Sequence, residues 1–181
     1  EGLQAAAAMA RTLPKPNGED FELAERHAAA GRAAWRVSDL KFSQECFEKG
    51  REAYPRHLGC WLGFAQLFFE TNKDESSRRN YSEKVIKDIN PNCSQAYYWT
   101  SMALAFRWKG TEARTAIDKS ISLHKENVTA RSARAFYFIL NDQYDNARID
   151  LERALAVNPS AIEALGVKAL SAKSLGDEAG Y

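Results

Sequence analysis

Prolines set a ruler along this chain. Pro91 and Pro159 stand two equal intervals apart, each of about 34 residues, and Pro55 precedes Pro91 by slightly more than one such interval. Proline lacks the N–H that a helix interior needs, and it pushes the residue before it out of the helical region, so each of these is a helix stop. Stops at this interval leave room for two helices of roughly three turns each, with their connections. A pair that small cannot bury its apolar faces alone, so such units stack and share a core. The longer interval implies that the unit between Pro55 and Pro91 carries about two extra residues.

The residues between the stops repeat too. Ahead of Pro159 come Ala135, Phe138, Ala147, Leu151 and Ala154; ahead of Pro55 come Gly31, Ala34 and Phe47. Trp61, Ala65 and Phe68 open the second unit. The third has Tyr97, Ser101, Leu104, Ala113, Ile117, Ser120 and Ile121, with Lys125 in the proline place. This arrangement resembles the tetratricopeptide repeat, which carries Trp, Leu, Gly and Tyr along its first helix and Ala, Phe, Ala and Pro along its second. The resemblance covers roughly residues 22–176 and is closest over residues 143–159. In the third unit a frame shifted by two, through Trp99, Ala103, Phe106 and Gly110, fits almost as well, and both frames stay open. The second helix of unit two, over residues 74–89, lacks the small residue of the pattern.

The resemblance implies an all-α fold: a right-handed α-solenoid of about four hairpins at residues 24–57, 58–93, 94–127 and 128–161, with a capping helix at 162–176. Residues 1–16 form a separate N-terminal helix and linker, Ala-rich to Leu13 and broken by Pro14, Pro16 and Gly18. Its alternative roles are a terminal cap or an arm that fills a groove or dimerises. Within each hairpin, Gly31, Ala65, Ser101 and Ala135 let two backbones approach, and Phe47, Phe68, Phe138 and Leu151 fill the space around the crossing. Ser160 and Glu163 have capping-box spacing, and Gly110, Gly176 and Asn141–Asp142 suit hairpin turns.

Composition narrows function rather than fold. A formal net charge of +1 gives no global field toward nucleic acid or an anionic surface, and no apolar run approaches the roughly 18 residues of a spanning helix. Three scattered cysteines make no disulfide framework, which points to a reducing, cytoplasmic setting. The chain starts at Glu1 without Met and stops just past a repeat turn, which reads as a domain from a longer protein or one that has lost a leader. No catalytic, metal or cofactor site is expected. His57 and Cys60 share a helix face, but a structural zinc site needs four ligands. Asn80, Asn92 and Asn127 match the glycosylation pattern and read as chance or as helix caps.

What remains is a binding surface. Carried over from the family, the concave face is lined by first-helix places not used for packing. These are Arg32, Trp35 and Arg36 in repeat one and Leu62, Gln66 and Phe69 in repeat two. Repeat three offers Tyr98, Met102 and Phe106, or Thr100, Leu104 and Arg107 in the shifted frame; repeat four offers Ser132, Phe136 and Ile139. The alternative for each ring is inter-repeat core. The expected function is a non-enzymatic scaffold that holds a peptide or helix of a partner protein. The rival readings are a dedicated chaperone, such as a secretion chaperone, and a helical accessory domain of a larger enzyme. Nucleic acid and membrane insertion are not expected, and homo-oligomerisation is left open.

Overall fold

The computed structural model describes residues 21–70 and 75–174. The expected N-terminal helix and Gly176 lie outside them. The described residues are helical hairpins without a strand. In order they are α1 (Phe21–Arg36), α2 (Leu40–Ala53), α3 (Leu58–Glu70), α4 (Glu75–Lys84, continued by a π-helical turn at Val85–Ile89), α5 (Ser94–Ala105), α6 (Gly110–Leu123), α7 (Val128–Ile139), α8 (Tyr144–Val157) and α9 (Ile162–Ser174).

The helix ends show how the ruler works. Gly50, Ser120 and Ala154 each accept the N–H of the residue four places on, at 3.0, 3.1 and 3.0 Å, and the chain then turns extended. Val85 holds the corresponding place in α4, yet its carbonyl is reached from Asn90, five places on, at 2.8 Å. That π turn takes up one of the extra residues before Pro91. Asn90 and Asn158 then tighten the turn: their side-chain oxygens accept N–H groups two residues later, from Asn92 at 2.9 Å and Ser160 at 3.1 Å. Ser160 is thereby drawn into this turn, its hydroxyl 3.0 Å from Asn158 Oδ1, and does not cap α9, which begins at Ile162. Asn127 does cap: its side chain accepts from Ala130 N at 3.0 Å.

Between the helices of a hairpin, one residue takes the left-handed backbone conformation: Ser38 (φ 62°), Trp108 (φ 57°) and Asp142 (φ 57°). Trp108 and Asp142 stand one repeat length apart, which sets the third repeat in the frame of Ser101 and Leu104. Gly110, expected in this turn, instead opens α6. Asp and Ser tolerate the left-handed region through local hydrogen bonding; a bulky Trp there is strained.

The described residues divide into two compact units, one up to residue 103 and one from residue 104 on. In the first, α1 and α2 cross where Gly31 meets Phe47: a Cβ at Gly31 would lie 2.5 Å from Phe47 Cε1, and one at Gly63 would sit closer still to the same ring. Ser43 Oγ donates to the Gly31 carbonyl at 2.9 Å, fixing the crossing. The core is aromatic: Phe47, Phe64 and Leu67, with Trp35, Phe68 and Tyr81 against them. A second cluster gathers Val85, Cys93 and Ala96 with Leu58, Trp61 and Leu62. The small residue missing from the sequence pattern of α4 has a counterpart in Ser82, fully buried, whose hydroxyl receives that of Thr100 at 2.9 Å.

The second unit has a finer-grained core. Ala135, Phe138, Ile139, Ala147, Leu151 and Ala154 from α7 and α8 interlock, and Ala161, Ala164 and Val167 close over them. Ala135 is fully buried, so α7 and α8 approach to the distance its methyl allows. Each large apolar side chain removed from water here adds at most about 1.5–3 kcal/mol.

Candidate partner-binding faces

The candidate surface is built from first helices, whose crossing faces are already committed to packing. In the first unit the remaining faces are largely half-buried. Trp35 packs on the Phe47–Phe64–Leu67 core and Leu62 on the Val85 cluster. Gln66, Tyr98 and Met102 are partly accessible, Tyr98 meeting Trp99 edge-on with ring centres 4.8 Å apart. The side chain of Phe69 lies outside the described residues. Arg36 is exposed. Arg32 reaches Glu25 at 3.4 Å, and the other oxygen of that carboxylate meets His57 Nε2 at 2.9 Å.

The same carboxylate explains His57. Its second ring nitrogen accepts the backbone N–H of Cys60 at 3.3 Å, so both nitrogens are occupied and the ring bridges α1 to α3. Cys60 is fully buried, and burial pushes its thiol up to about 12, which keeps it protonated and unreactive. His27 is also buried, with neither ring nitrogen hydrogen-bonded. Burial pulls its pKa below the ordinary histidine value; nearby Lys49 adds to this and Glu52 opposes it. Among the described residues no group of three or more His, Cys, Asp or Glu side chains is placed to hold a metal.

The second unit offers more open apolar surface. Phe106 is 52% exposed and Phe136 41%. Ile139, expected beside them, is 6% exposed and belongs to the core, and Ser132 is buried with its hydroxyl donating to the Val128 carbonyl at 2.9 Å. The accessible side chain is the next one, Leu140, at 66%. Leu140 lies one turn beyond Phe136 and one repeat length after Phe106, two spacings that mark it in the sequence. Trp108, at the left-handed turn, is 96% exposed.

The same unit holds a partly buried ion network. Asp150 receives Arg131 at 2.8 Å and Arg134 at 2.6 and 2.8 Å, and Arg134 also donates to Asp118 at 2.7 Å. The carboxylate partners hold the Arg134 guanidinium charged against the burial that disfavours it. The network ties α6, α7 and α8 together and fixes the face carrying Phe136.

Comparison with known proteins agrees on architecture. No family model matches the chain. Anaphase-promoting complex subunit 3 of Schizosaccharomyces pombe is 24% identical over 117 residues, 65% of this chain but 17% of that protein, so the chain spans about a sixth of that relative. Among solved structures, a thermophilic TPR protein of Thermus thermophilus superposes with a TM-score of 0.71 at 18% identity, over 96% of this chain and 90% of that one. Pseudomonas aeruginosa pilF gives 0.69 at 16% identity, over 99% and 89%. YrrB, described as a TPR protein with an unusual peptide-binding site, gives 0.59 at 18% identity, over 93% and 84%. At these identities the likeness establishes the fold: an all-α solenoid of tetratricopeptide-type hairpins.

Proposed function

We propose that this array of tetratricopeptide-type hairpins is a non-enzymatic protein-interaction scaffold, and that a partner's peptide or helical segment docks on its first-helix faces. The observation that carries the reading is the set of large apolar side chains exposed in the second unit: Phe136 on the first helix α7, with Phe106 and Leu140 in the turns that follow α5 and α7. A stable hairpin core gains nothing from them in water, whereas spaced apolar anchors are what an amphipathic partner segment uses. In the first unit the same faces present Arg32 and Arg36 with the partly accessible Gln66, Tyr98 and Met102, a more polar surface suited to an acidic stretch. No helix among the described residues is long and apolar enough to cross a membrane.

Site-specific photo-crosslinking from position 136, with position 149 on α8 as the control, identifies the partner. Phe136→Ala is then expected to weaken that partner at least about tenfold, as hot-spot truncations do, with little change in melting temperature. Equal crosslinking from both positions, or undiminished affinity in Phe136→Ala, overturns the assignment of this face.

A further inference from the structure

A guanidinium taken out of water needs compensation, because its lost hydration is costly unless hydrogen bonds or opposite charge replace it. Arg51 on α2 receives only part of this. Its guanidinium carbon lies 4.6 Å from the ring centre of Trp61, 4.7 Å from that of Phe64 and 6.0 Å from that of Tyr81. The rings are themselves fixed: Phe64 and Tyr81 stack at 4.9 Å, Phe68 and Tyr81 at 5.1 Å, and the Trp61 indole N–H donates to the Pro55 carbonyl at 2.8 Å. Ring faces stabilise a cation, but they do not take the place of hydrogen-bond acceptors. Nε of Arg51 is buried without an acceptor, and among the described residues Arg51 enters no ion pair. Its two terminal nitrogens are not among the buried unsatisfied atoms, so they stay open to water.

We infer that Arg51, with the partly exposed rings of Trp61 and Tyr81, forms a binding site for a carboxylate carried on an apolar or aromatic group of a partner polypeptide. The carboxylate meets the terminal nitrogens of Arg51 in the forked geometry a guanidinium favours, and the apolar part lies against the accessible parts of Trp61 and Tyr81. A carboxylate fits better than a phosphate dianion because the cation is single. On α4, Arg79 and Lys84 pair with Glu83 and Asp88. The rings also hold the guanidinium in place before the ligand arrives, which lowers the ordering cost of binding. Arg51 and Tyr81 belong to second helices and Trp61 to the first helix α3, and none of them is among the residues of the proposed docking faces.

The test uses the full chain and two small probes that differ in one group, N-acetyl-phenylalanine and N-acetyl-phenylalaninamide. Amide-type 1H–15N spectra report both the Arg51 Nε–H and the Trp61 indole N–H. The expected result is a saturable shift of both signals with the carboxylate and about tenfold weaker binding of the amide, the loss that follows from removing a charge-assisted pair. Arg51→Gln should abolish the difference between the probes, and Arg51→Lys should retain part of it. Equal binding of the two probes to the unmodified chain overturns the inference, as does an unchanged preference in a folded Arg51→Gln variant. If Arg51→Gln does not fold, the contrast between the probes on the unmodified chain decides alone.

Discussion

The two units hold arginine in opposite ways, half-buried in the first and, at Arg131, buried in the second. In the first, Arg51 is held by aromatic faces and meets no carboxylate among the described residues. In the second, Arg131 and Arg134 converge on Asp150, whose side chain is 2% exposed, and Asp118 takes a further hydrogen bond. The cores around them differ in the same sense. Rings packed against glycine make the first, where Phe47 lies over Gly31 and Gly63; small aliphatic residues make the second. The contrast separates two kinds of stabilisation. A cation over rings loses little if it is removed, since the rings remain content with one another. A buried carboxylate between two arginines cannot be removed without stranding both cations.

The largest expected effect follows from that asymmetry. Asp150→Ala leaves Arg131 and Arg134 buried beside a cavity, at a cost of about 3–5 kcal/mol, read as a drop in the denaturation midpoint of the second unit. A loss below about 1 kcal/mol would show that water or Asp118 already satisfies these arginines, and the contrast between the units would weaken. Next comes the close approach in the first unit. Gly63→Ala sets a methyl against the Phe47 ring, and the overpacking, about 1–3 kcal/mol, outweighs the gain of about 1 kcal/mol in helix propensity. A stabilised variant in chemical denaturation would mean that Phe47 swings aside freely. The smallest effect compares one turn across the units. Trp108→Gly relieves a left-handed Trp and should raise stability by up to about 1 kcal/mol, more than Ser38→Gly at the matching place. Equal gains at both positions would show that the strain belongs to the turn and not to the indole.

The hairpin fold was legible because its signals are local and periodic. Prolines stop helices wherever they stand, and Gly31 and Ala135 carry a small-residue signal for close approach that no larger side chain could imitate. The turn chemistry was less legible. Gly110 attracted the turn by its type, yet the left-handed residue is Trp108, because the repeat frame outweighs the preference of one residue. On the candidate faces, Ile139 and Leu140 are adjacent in sequence, yet one is 6% exposed and the other 66%. One residue moves a side chain about 100° around a helix, so a register uncertain by one cannot assign a face.

What the sequence by itself determined is the element order, the pairing of helices into hairpins and some of the crossing residues, Gly31 and Ala135 among them, since these follow from backbone stops and side-chain volume along a single chain; the close approach at Gly63 emerged only in the fold. The tertiary structure alone decided the partnerships of charge and ring. Arg51 lies in sequence among glutamates and lysines, where any of several neighbours could serve as partner, and only folding sets it against Trp61 on α3 and Tyr81 on α4. Arg131 and Arg134 find Asp150 the same way, across a hairpin turn. Such pairings depend on which faces of different helices meet, and therefore on crossing angles and burial that no local spacing encodes.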